Sequence, residues 1–405
     1  LGEAAGELEQ AIGQLEGWTA PVAAWEQGLL AARCADYSPQ RLDELFLSGH
    51  LTWFRPAING QGSQQLVAAT PLTIVPRINA ATWRSQSSGE PEALSSLAER
   101  LLRVLQKGGA MFTSDLAQSS GLLQVQLEQG IAELVARGLL TSDAFSPLRW
   151  LIRPEAVKRK KQKMLRRRPF SGGGGMLGRW SLAADAQAAS FDPDTGELFP
   201  DQARLAEVCE ALLRRYGVVF RAVLERESLT PPWRHLLRYL RRMEDRGEVH
   251  GGRFVDGFSG EQFALPEAVG LLRNQATGGE RGELRVINAA DPLNLGGFIT
   301  AGVKTAARAG NRILLQDGVP VARIQGDELE LLDPGTTAAF FARFHYCIGD
   351  RRLSGNLYPP RAVFFRKSCC KYVQDGHTQA LHINGDTQFL KSRILHDDRK
   401  PLSRW

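Results

Sequence analysis

The chain has 405 residues, is 43% hydrophobic and 23% charged, and carries a formal net charge of +6. These values are typical of a globular protein with about two to four domains and a mild preference for anionic partners. The sequence has no apolar run near the roughly 18 residues of a membrane span and no signal-peptide pattern, so we expect no membrane partner and a cytoplasmic location.

Two winged-helix modules are predicted in the first part of the chain. In the first, 1–90, two helical segments precede a third helix that starts at Ser38 and Pro39, and two strand-like segments complete a wing. In the second, 91–153, the corresponding third helix ends at Gly138 and carries few positive charges. We therefore expect the second module to be structural rather than to contact phosphate.

A basic, glycine-rich linker is predicted at 154–182. The run KRKKQKMLRRR holds eight Lys or Arg, and four consecutive glycines follow it. This composition is typical of a solvated linker, and the same charges favour a tether that binds phosphate by releasing counterions. The candidate nucleic-acid contacts from this part of the chain are Lys158, Arg159, Lys160, Lys161, Lys163, Arg166, Arg167, Arg168, Arg179 and Trp180.

The third predicted winged-helix module, 183–275, contains the main candidate for a phosphate-contacting surface. Thr230 followed by two prolines is a helix-start signal. After it, apolar residues from Trp233 to Met243 recur at three- and four-residue steps and define one helix face. The opposite face carries Arg234, Arg238, Arg241 and Arg242.

The last predicted module, 283–405, is a small antiparallel sheet or β-barrel-like module that ends in a tail. Short apolar runs are punctuated by Gly and Pro, and Asp317-Gly318 is the clearest hairpin signal. A helical pattern at 338–344 precedes a basic, cysteine-bearing tail. Strands therefore replace helices as the main predicted element in this module.

One short pattern occurs three times and predicts the fold class. The pattern is an apolar residue, a second apolar residue three positions later, a glycine four positions after that, and a third apolar residue two positions after the glycine. This spacing is expected for a helix that ends at glycine before a strand. The copies lie about a hundred residues apart, which suits small domains in series. We therefore predict an α+β protein with tandem winged-helix modules followed by a small β-barrel-like module. The copies are Leu42/Leu45/Gly49/Leu51, Ile131/Leu134/Gly138/Leu140 and Leu240/Met243/Gly247/Val249.

Two familiar sites are disfavoured by spacing, so we expect no cofactor or metal in this chain. The stretch from Gly297 to Thr305 nearly matches a phosphate-binding loop, but one extra residue precedes Lys304 and no helix is predicted to follow. The adjacent Cys369 and Cys370 do not suit tetrahedral zinc ligation. Five cysteines without framework spacing indicate free thiols in a reducing compartment, and the opening Leu1 favours a piece of a longer protein.

Several stretches together resemble the C-terminal region of Lhr, the large helicase-related proteins of bacteria. They occur in matching order over about 1–330, and Asp-Pro-Leu-Asn-Leu with Gly-Asn-Arg is the most specific pair. Beyond about Asp333 the resemblance fades. The stretches that carry it are Ser142–Arg149, Gly178–Leu182, Asn288–Leu295, Ala309–Arg312 and Asp317–Val321.

The resemblance implies a role and an architecture. Proteins of that family are ATP-dependent 3′-to-5′ DNA translocases and helicases linked to repair, so this chain would follow a helicase core that binds ATP and Mg. The resemblance also implies tandem winged helices ending in a β-barrel-like module, an arrangement similar to AlkZ-type DNA glycosylases, and self-association into a homo-oligomer.

Three functions therefore remain open. The first is a DNA-binding accessory region of a repair helicase. The second is a glycosylase module that flips a damaged base out of the helix and cleaves its glycosidic bond, and whether this chain is an enzyme stays undecided. The third is an oligomerisation scaffold. Polar candidates for a base-processing site are Gln124, Gln126, Asp397 and Asp398.

Overall fold

Three winged helices and a β-rich region follow one another in the computed structural model. No helix among the described residues combines the length and apolarity that a membrane crossing requires. The structure describes residues 2–56, 65–84, 93–154, 157–158, 178–183, 190–191, 198–199, 202–277, 282–300, 303–332, 337–348, 351–352, 361–365, 370–375, 378–384 and 386–397.

The first module consists of helices around a three-stranded sheet of order β1-β3-β2. Ser38 caps the third helix by accepting the Arg41 backbone N–H at 3.4 Å, which agrees with the predicted helix start. The short strand β1 was not predicted, because three residues carry too little periodicity. The elements are α1 (Gly2–Gln14), β1 (Thr19–Pro21), α2 (Val22–Ala24, continued by a π-helix at Trp25–Leu30), α3 (Pro39–Leu47), β2 (Leu51–Phe54), β3 (Pro71–Pro76) and α4 (Ala80–Trp83).

The second module extends beyond its predicted end at 153. Its sheet has the order β4-β6-β5, and β6 lies within the range predicted as a linker, with Trp180 opposite both Met111 and Ser142. A fully buried Trp180 side chain attaches β6 to the core. The elements are α5 (Ser96–Gly108), β4 (Met111–Phe112), α6 (Thr113–Ser120), α7 (Gln124–Ala136), β5 (Leu140–Ser142), α8 (Ser146–Leu151) and β6 (Arg179–Leu182).

The third module has a sheet of order β10-β11-β9. Its third helix starts at Trp233 rather than at Thr230, because a residue before proline is driven out of the helical region and Pro232 itself is extended, at φ −53° and ψ 142°. The elements are β7 (Ser190–Phe191), β8 (Leu198–Phe199), α9 (Gln202–Tyr216), β9 (Val218–Val219), α10 (Arg221–Leu224), α11 (Trp233–Asp245), β10 (His250–Gly252), β11 (Gln262–Ala264) and α12 (Pro266–Thr277).

The threefold glycine pattern corresponds to three helix ends of the same geometry. Gly49, Gly138 and Gly247 have φ values of +83°, +74° and +76°, which glycine adopts without steric cost. In each copy the next residue donates its backbone N–H to the carbonyl five residues earlier, at 3.2, 2.9 and 2.9 Å. This is the Schellman ending of a helix. The prediction of repeated helix–wing units is confirmed.

The β-rich region begins with a four-stranded antiparallel meander, β12-β13-β14-β15. Further strands follow, and the described ones do not close into a barrel. The predicted helical pattern at 338–344 is wrong because these residues lie in β16; aromatic side chains, abundant here, favour strands. The strands are β12 (Leu284–Asn288), β13 (Arg312–Gln316), β14 (Val319–Gln325), β15 (Glu328–Leu331), β16 (Thr337–Ile348), β17 (Arg351–Arg352), β18 (Arg361–Phe365), β19 (Cys370–Asp375), β20 (Thr378–Ile383) and β21 (Asp386–Asp397).

A buried loop after β12 joins the first module, the third module and the meander. Asp291, 1% exposed, accepts two hydrogen bonds from the Arg33 guanidinium at 2.6 and 3.0 Å. The Trp18 indole donates to the Ala290 carbonyl at 2.9 Å, and Arg226 donates to the Pro292 carbonyl at 2.6 Å. The Asp-Pro-Leu-Asn-Leu stretch is therefore a structural junction.

Buried thiols give one testable consequence of this packing. Cys209 is fully buried on α9, and burial, with a smaller contribution from Glu210, raises its pKa to about 12. A raised pKa keeps the thiol protonated at about pH 8, and the thiolate is the reactive form. We expect alkylation of Cys209 to be at least a hundredfold slower, to order of magnitude, in native protein than in urea.

Mass spectrometry of alkylated peptides would measure each cysteine separately. The half-exposed Cys370 serves as the internal control and should react faster than Cys209 in the native protein. Equal rates for Cys209 before and after unfolding would contradict its burial.

Candidate nucleic-acid interface

Helix α11, here called the arginine helix, has one buried face and one exposed basic face. Leu236 and Leu240 are fully buried and Met243 is 5% exposed, so the apolar stripe packs into the third module. Arg234, Arg238, Arg241 and Arg242 are all exposed. The amphipathic sequence thus positions four guanidinium groups outward.

The wing of the third module lies next to the arginine helix and is connected to it by charge. Arg241 donates to both carboxylate oxygens of Glu261, before β11, at 3.0 and 2.7 Å. That hydrogen bonding raises the pKa of Arg241. At the helix end, Arg246 forms an ion pair with Glu248, and the hydrogen bond lowers the pKa of the Glu248 carboxyl. Helix and wing therefore form one exposed unit.

Two of the four arginines are available for anions. In the described parts of the chain, neither Arg238 nor Arg242 forms an ion pair, and Arg234 donates to the buried His235 at 3.3 Å. The helix also contains Glu244 and Asp245, both in its last turn. The guanidinium groups are thus spread from the first turn to the last turn of the helix on its exposed side, where a nucleic-acid backbone can approach them.

The equivalent helix of the first module, α3, is covered by the second module. Arg149 donates to Asp43 at 2.5 Å and to the Pro39 carbonyl at 2.9 Å, and the Phe46 and Phe145 rings stack at 5.8 Å. Asp43 also accepts the backbone N–H groups of Phe145 and Ser146, at the start of α8. This explains the Ser-Asp-Ala-Phe-Ser-Pro-Leu-Arg stretch as an inter-module contact.

The equivalent helix of the second module, α7, carries Glu128 and Glu133 and has no Lys or Arg within Gln124–Ala136. Gln126 accepts the Leu123 backbone N–H at 3.1 Å, and Gln124 donates to Glu128 at 2.9 Å. The two glutamines thus serve as helix-terminal and surface contacts. The expectation that this helix does not contact phosphate therefore stays a prediction.

The basic segment is the part of the predicted linker from Lys158 to Arg179. Its two described charged residues both form ion pairs within the protein. Lys158 is 8% exposed and lies 3.7 Å from Glu128, so its charge is neutralised within the protein. Arg179 is exposed and forms an ion pair with Asp143 at 2.8 Å. The predicted contacts outside the described residues are Arg159, Lys160, Lys161, Lys163, Arg166, Arg167 and Arg168.

Trp180 is corrected from a candidate nucleic-acid contact to a core residue. Its ring is fully buried and packs edge-on against Trp53, with ring centroids 6.4 Å apart. Its indole N–H donates to the Thr113 hydroxyl at 3.2 Å. No face of this indole is open to a base.

Gly178, just before β6, occupies a position that admits no side chain. Its φ is +108°, and an added Cβ would lie 2.8 Å from both the Ala144 Cβ and the Asp143 carboxylate. We expect Gly178→Ala to lower the free energy of unfolding by about 2 kcal/mol or more, through backbone strain and overpacking. Urea unfolding would measure the change.

The matched control is Gly13→Ala, since nothing lies within 4 Å of its built Cβ and it sits inside α1. That change should stabilise the protein by about 0.5–1 kcal/mol. A neutral Gly178→Ala would show that β6 is not held against Asp143 and Ala144 as described.

The remaining predicted sites have the following positions. Residues 303–308, which include the end of the near match to a phosphate-binding loop, form no helix, and Lys304 lies over the Phe298 ring rather than in an anion cradle. Within the described ranges no group of three potential metal ligands is found. Cys369, His377 and Asp398 lie outside those ranges, as does the side chain of Asp397.

Two family models match the first and third modules. A model described as "Large helicase-related protein, winged-helix domain" matches residues 2–71, and a second with the same description matches residues 200–284.

Two relatives are similar over a larger part of the chain. A protein of Escherichia coli (strain K12) named "Lhr helicase/uracil glycosylase" is 29% identical over 312 residues. A protein of Mycolicibacterium smegmatis named "Lhr helicase/ probable uracil glycosylase" is 29% identical over 305 residues. Each match covers 71% of this chain and 19% of the relative, so the chain spans about a fifth of the length of these relatives.

Proposed function

Because the chain is recognised as a C-terminal region of the large helicase-related family, we propose that it is the DNA-binding accessory region of an ATP-dependent 3′-to-5′ helicase that acts in DNA repair. The ATPase core, with its ATP and Mg, would lie outside this chain. The observation that carries the proposal is the exposed arginine helix beside its wing, which among the described residues is the one third helix of a module that is both basic and uncovered.

The proposed mechanism is electrostatic positioning. Guanidinium groups on the arginine helix replace counterions condensed on the DNA backbone, so binding weakens as salt rises, by about 0.9 logarithmic units per neutralised phosphate on duplex DNA. Such contacts hold DNA without reading its sequence. Binding without sequence preference suits a region that keeps a translocating core bound to DNA.

Binding of the purified chain to single-stranded and duplex DNA across a salt series tests the proposal. We expect affinity to decrease steeply and linearly on logarithmic axes. Absence of binding at low salt would overturn the accessory role and favour the scaffold alternative. In the scaffold alternative, the chain forms a defined oligomer, measured by light scattering, that does not bind DNA. Our proposal includes both self-association and DNA binding.

A glycosylase is the second candidate function, and the names of the two relatives favour it. The chain would then excise uracil or a damaged base, leaving an abasic site that alkali cleaves. Incubation with uracil-containing DNA followed by alkali is the direct assay. Cleavage at the uracil position would support the enzyme, and its absence under conditions where the DNA is bound would exclude it for that base.

A further inference from the structure

We infer that Phe298 and Lys304 form a platform for an unpaired DNA base, an inference that rests on the proposed DNA-binding function. Phe298 is a large apolar side chain that remains 41% exposed. The Lys304 ammonium lies 4.4 Å from its ring centroid and is itself exposed. An exposed aromatic ring next to cations is the combination that proteins use to bind single strands.

The ring is held rigidly by a tight turn. Gly297 donates to the Thr300 carbonyl at 2.9 Å, and Phe298 and Ile299 donate to the Leu295 carbonyl at 3.1 and 2.9 Å. Ile299, the next residue, packs inward against the apolar cluster of the third module. Inward packing of Ile299 leaves Phe298 directed outward at a fixed place.

Arg226 supports the ring from within the protein. Its guanidinium lies 5.0 Å from the Phe298 centroid and 5.4 Å from the buried Trp18 ring, and it donates to the Pro292 carbonyl at 2.6 Å. Burial lowers the pKa of Arg226. Lys304 has a flexible stem and can move from the ring to a phosphate, which exposes the aromatic face to a base.

The position of this platform connects it to the proposed interface. Arg226 lies in the turn between α10 and the arginine helix, the turn that precedes a recognition helix in winged-helix proteins. Arg226 precedes Trp233 by seven residues, so the chain keeps the start of that helix within about 25 Å of Arg226. DNA on the arginine helix would bring the end of a duplex, or a single-stranded extension, toward Phe298.

The test compares a blunt duplex with the same duplex carrying a single-stranded extension. We expect the extension to strengthen binding to the unaltered chain, and Phe298→Ala and Phe298→Leu to abolish that gain, a loss of about 5- to 150-fold per stacked base. Phe298→Trp should retain it. Lys304→Gln should lower the salt slope by about 0.7 on the extended DNA.

Phe112→Ala is the matched control, because that ring is 53% exposed on the second module. It should leave both affinities unchanged, and Phe298→Leu retains apolar volume, so loss of folding does not explain its effect. Unchanged binding by both Phe298 variants, or an equal loss on blunt and extended DNA, overturns this inference alone. Failure of the unaltered chain to bind either DNA overturns the proposed function as well.

Discussion

Replacing Arg234, Arg238, Arg241 and Arg242 with alanine should reduce duplex affinity by about a hundred- to a thousandfold at about 0.1 M salt. Each freed phosphate contact removes about 0.9 from the salt slope, so the slope should fall by about 2 to 4, with Arg238 and Arg242 contributing most. Arg241 contributes least because Glu261 already pairs with it. Fluorescence anisotropy with labelled duplex across a salt series gives both quantities.

The control variant removes the same number of positive charges, four, from other exposed positions. Arg100, Arg103 and Lys107 are exposed on α5, and Arg285 is exposed on β12. Their joint replacement by alanine changes the net charge equally but should leave the salt slope almost unaltered. Similar losses in both variants would mean that DNA responds to overall charge, and that the arginine helix is no specific interface.

Removal of Arg215 alone should lower the free energy of unfolding by about 3–5 kcal/mol. The side chains of Arg215 and Glu227 are each 1% exposed and form a buried ion pair. Arg215 also donates to the backbone carbonyls of Gln14 and Glu16 in the first module, and the Tyr216 hydroxyl donates to Glu227 at 2.8 Å. Without Arg215, a buried carboxylate loses its countercharge.

A double-mutant cycle in urea unfolding measures this coupling. Arg215→Met and Glu227→Leu should each be costly, whereas the two together should recover much of the loss, because no charge is then left buried. Arg103→Ala, which removes an exposed pair with Glu99, should change stability by less than about 1 kcal/mol. Additive losses in the cycle would contradict a direct Arg215–Glu227 interaction.

Local patterns predicted local structure, and contacts between distant residues could not be predicted. The helix ends at Gly49, Gly138 and Gly247 follow from a few neighbouring residues, and so does the outward placement of the four arginines. The burial of Trp180 depends instead on Trp53 and Thr113, far away in the chain, and no periodicity records such a pair. For the same reason β6 was interpreted as part of a linker.

The junction around Asp291 shows the same limit. Arg33 and Asp291 each look like ordinary surface charges in the sequence, and only the fold brings them together at 2.6 Å. The sequence did not predict that Arg149 and Phe145 cover α3 either, although this contact decides whether α3 stays open. The repeated pattern predicted three similar helices. The charges of α7 already disfavoured it as an interface, and packing against the second module covers α3, so the arginine helix is the one that stays open.

The anchoring of the basic segment at both ends limits where it can act. Lys158 is held near Glu128, and Arg179 is held by Asp143 and by the pairing of β6. About 20 residues lie between these anchors, and a fully extended chain spans at most about 3.5 Å per residue. Because the chain must leave and return, no Cα atom between the anchors can lie farther than about 35 Å from the second module. Any DNA that these residues contact must therefore pass within about that radius, plus the length of one side chain.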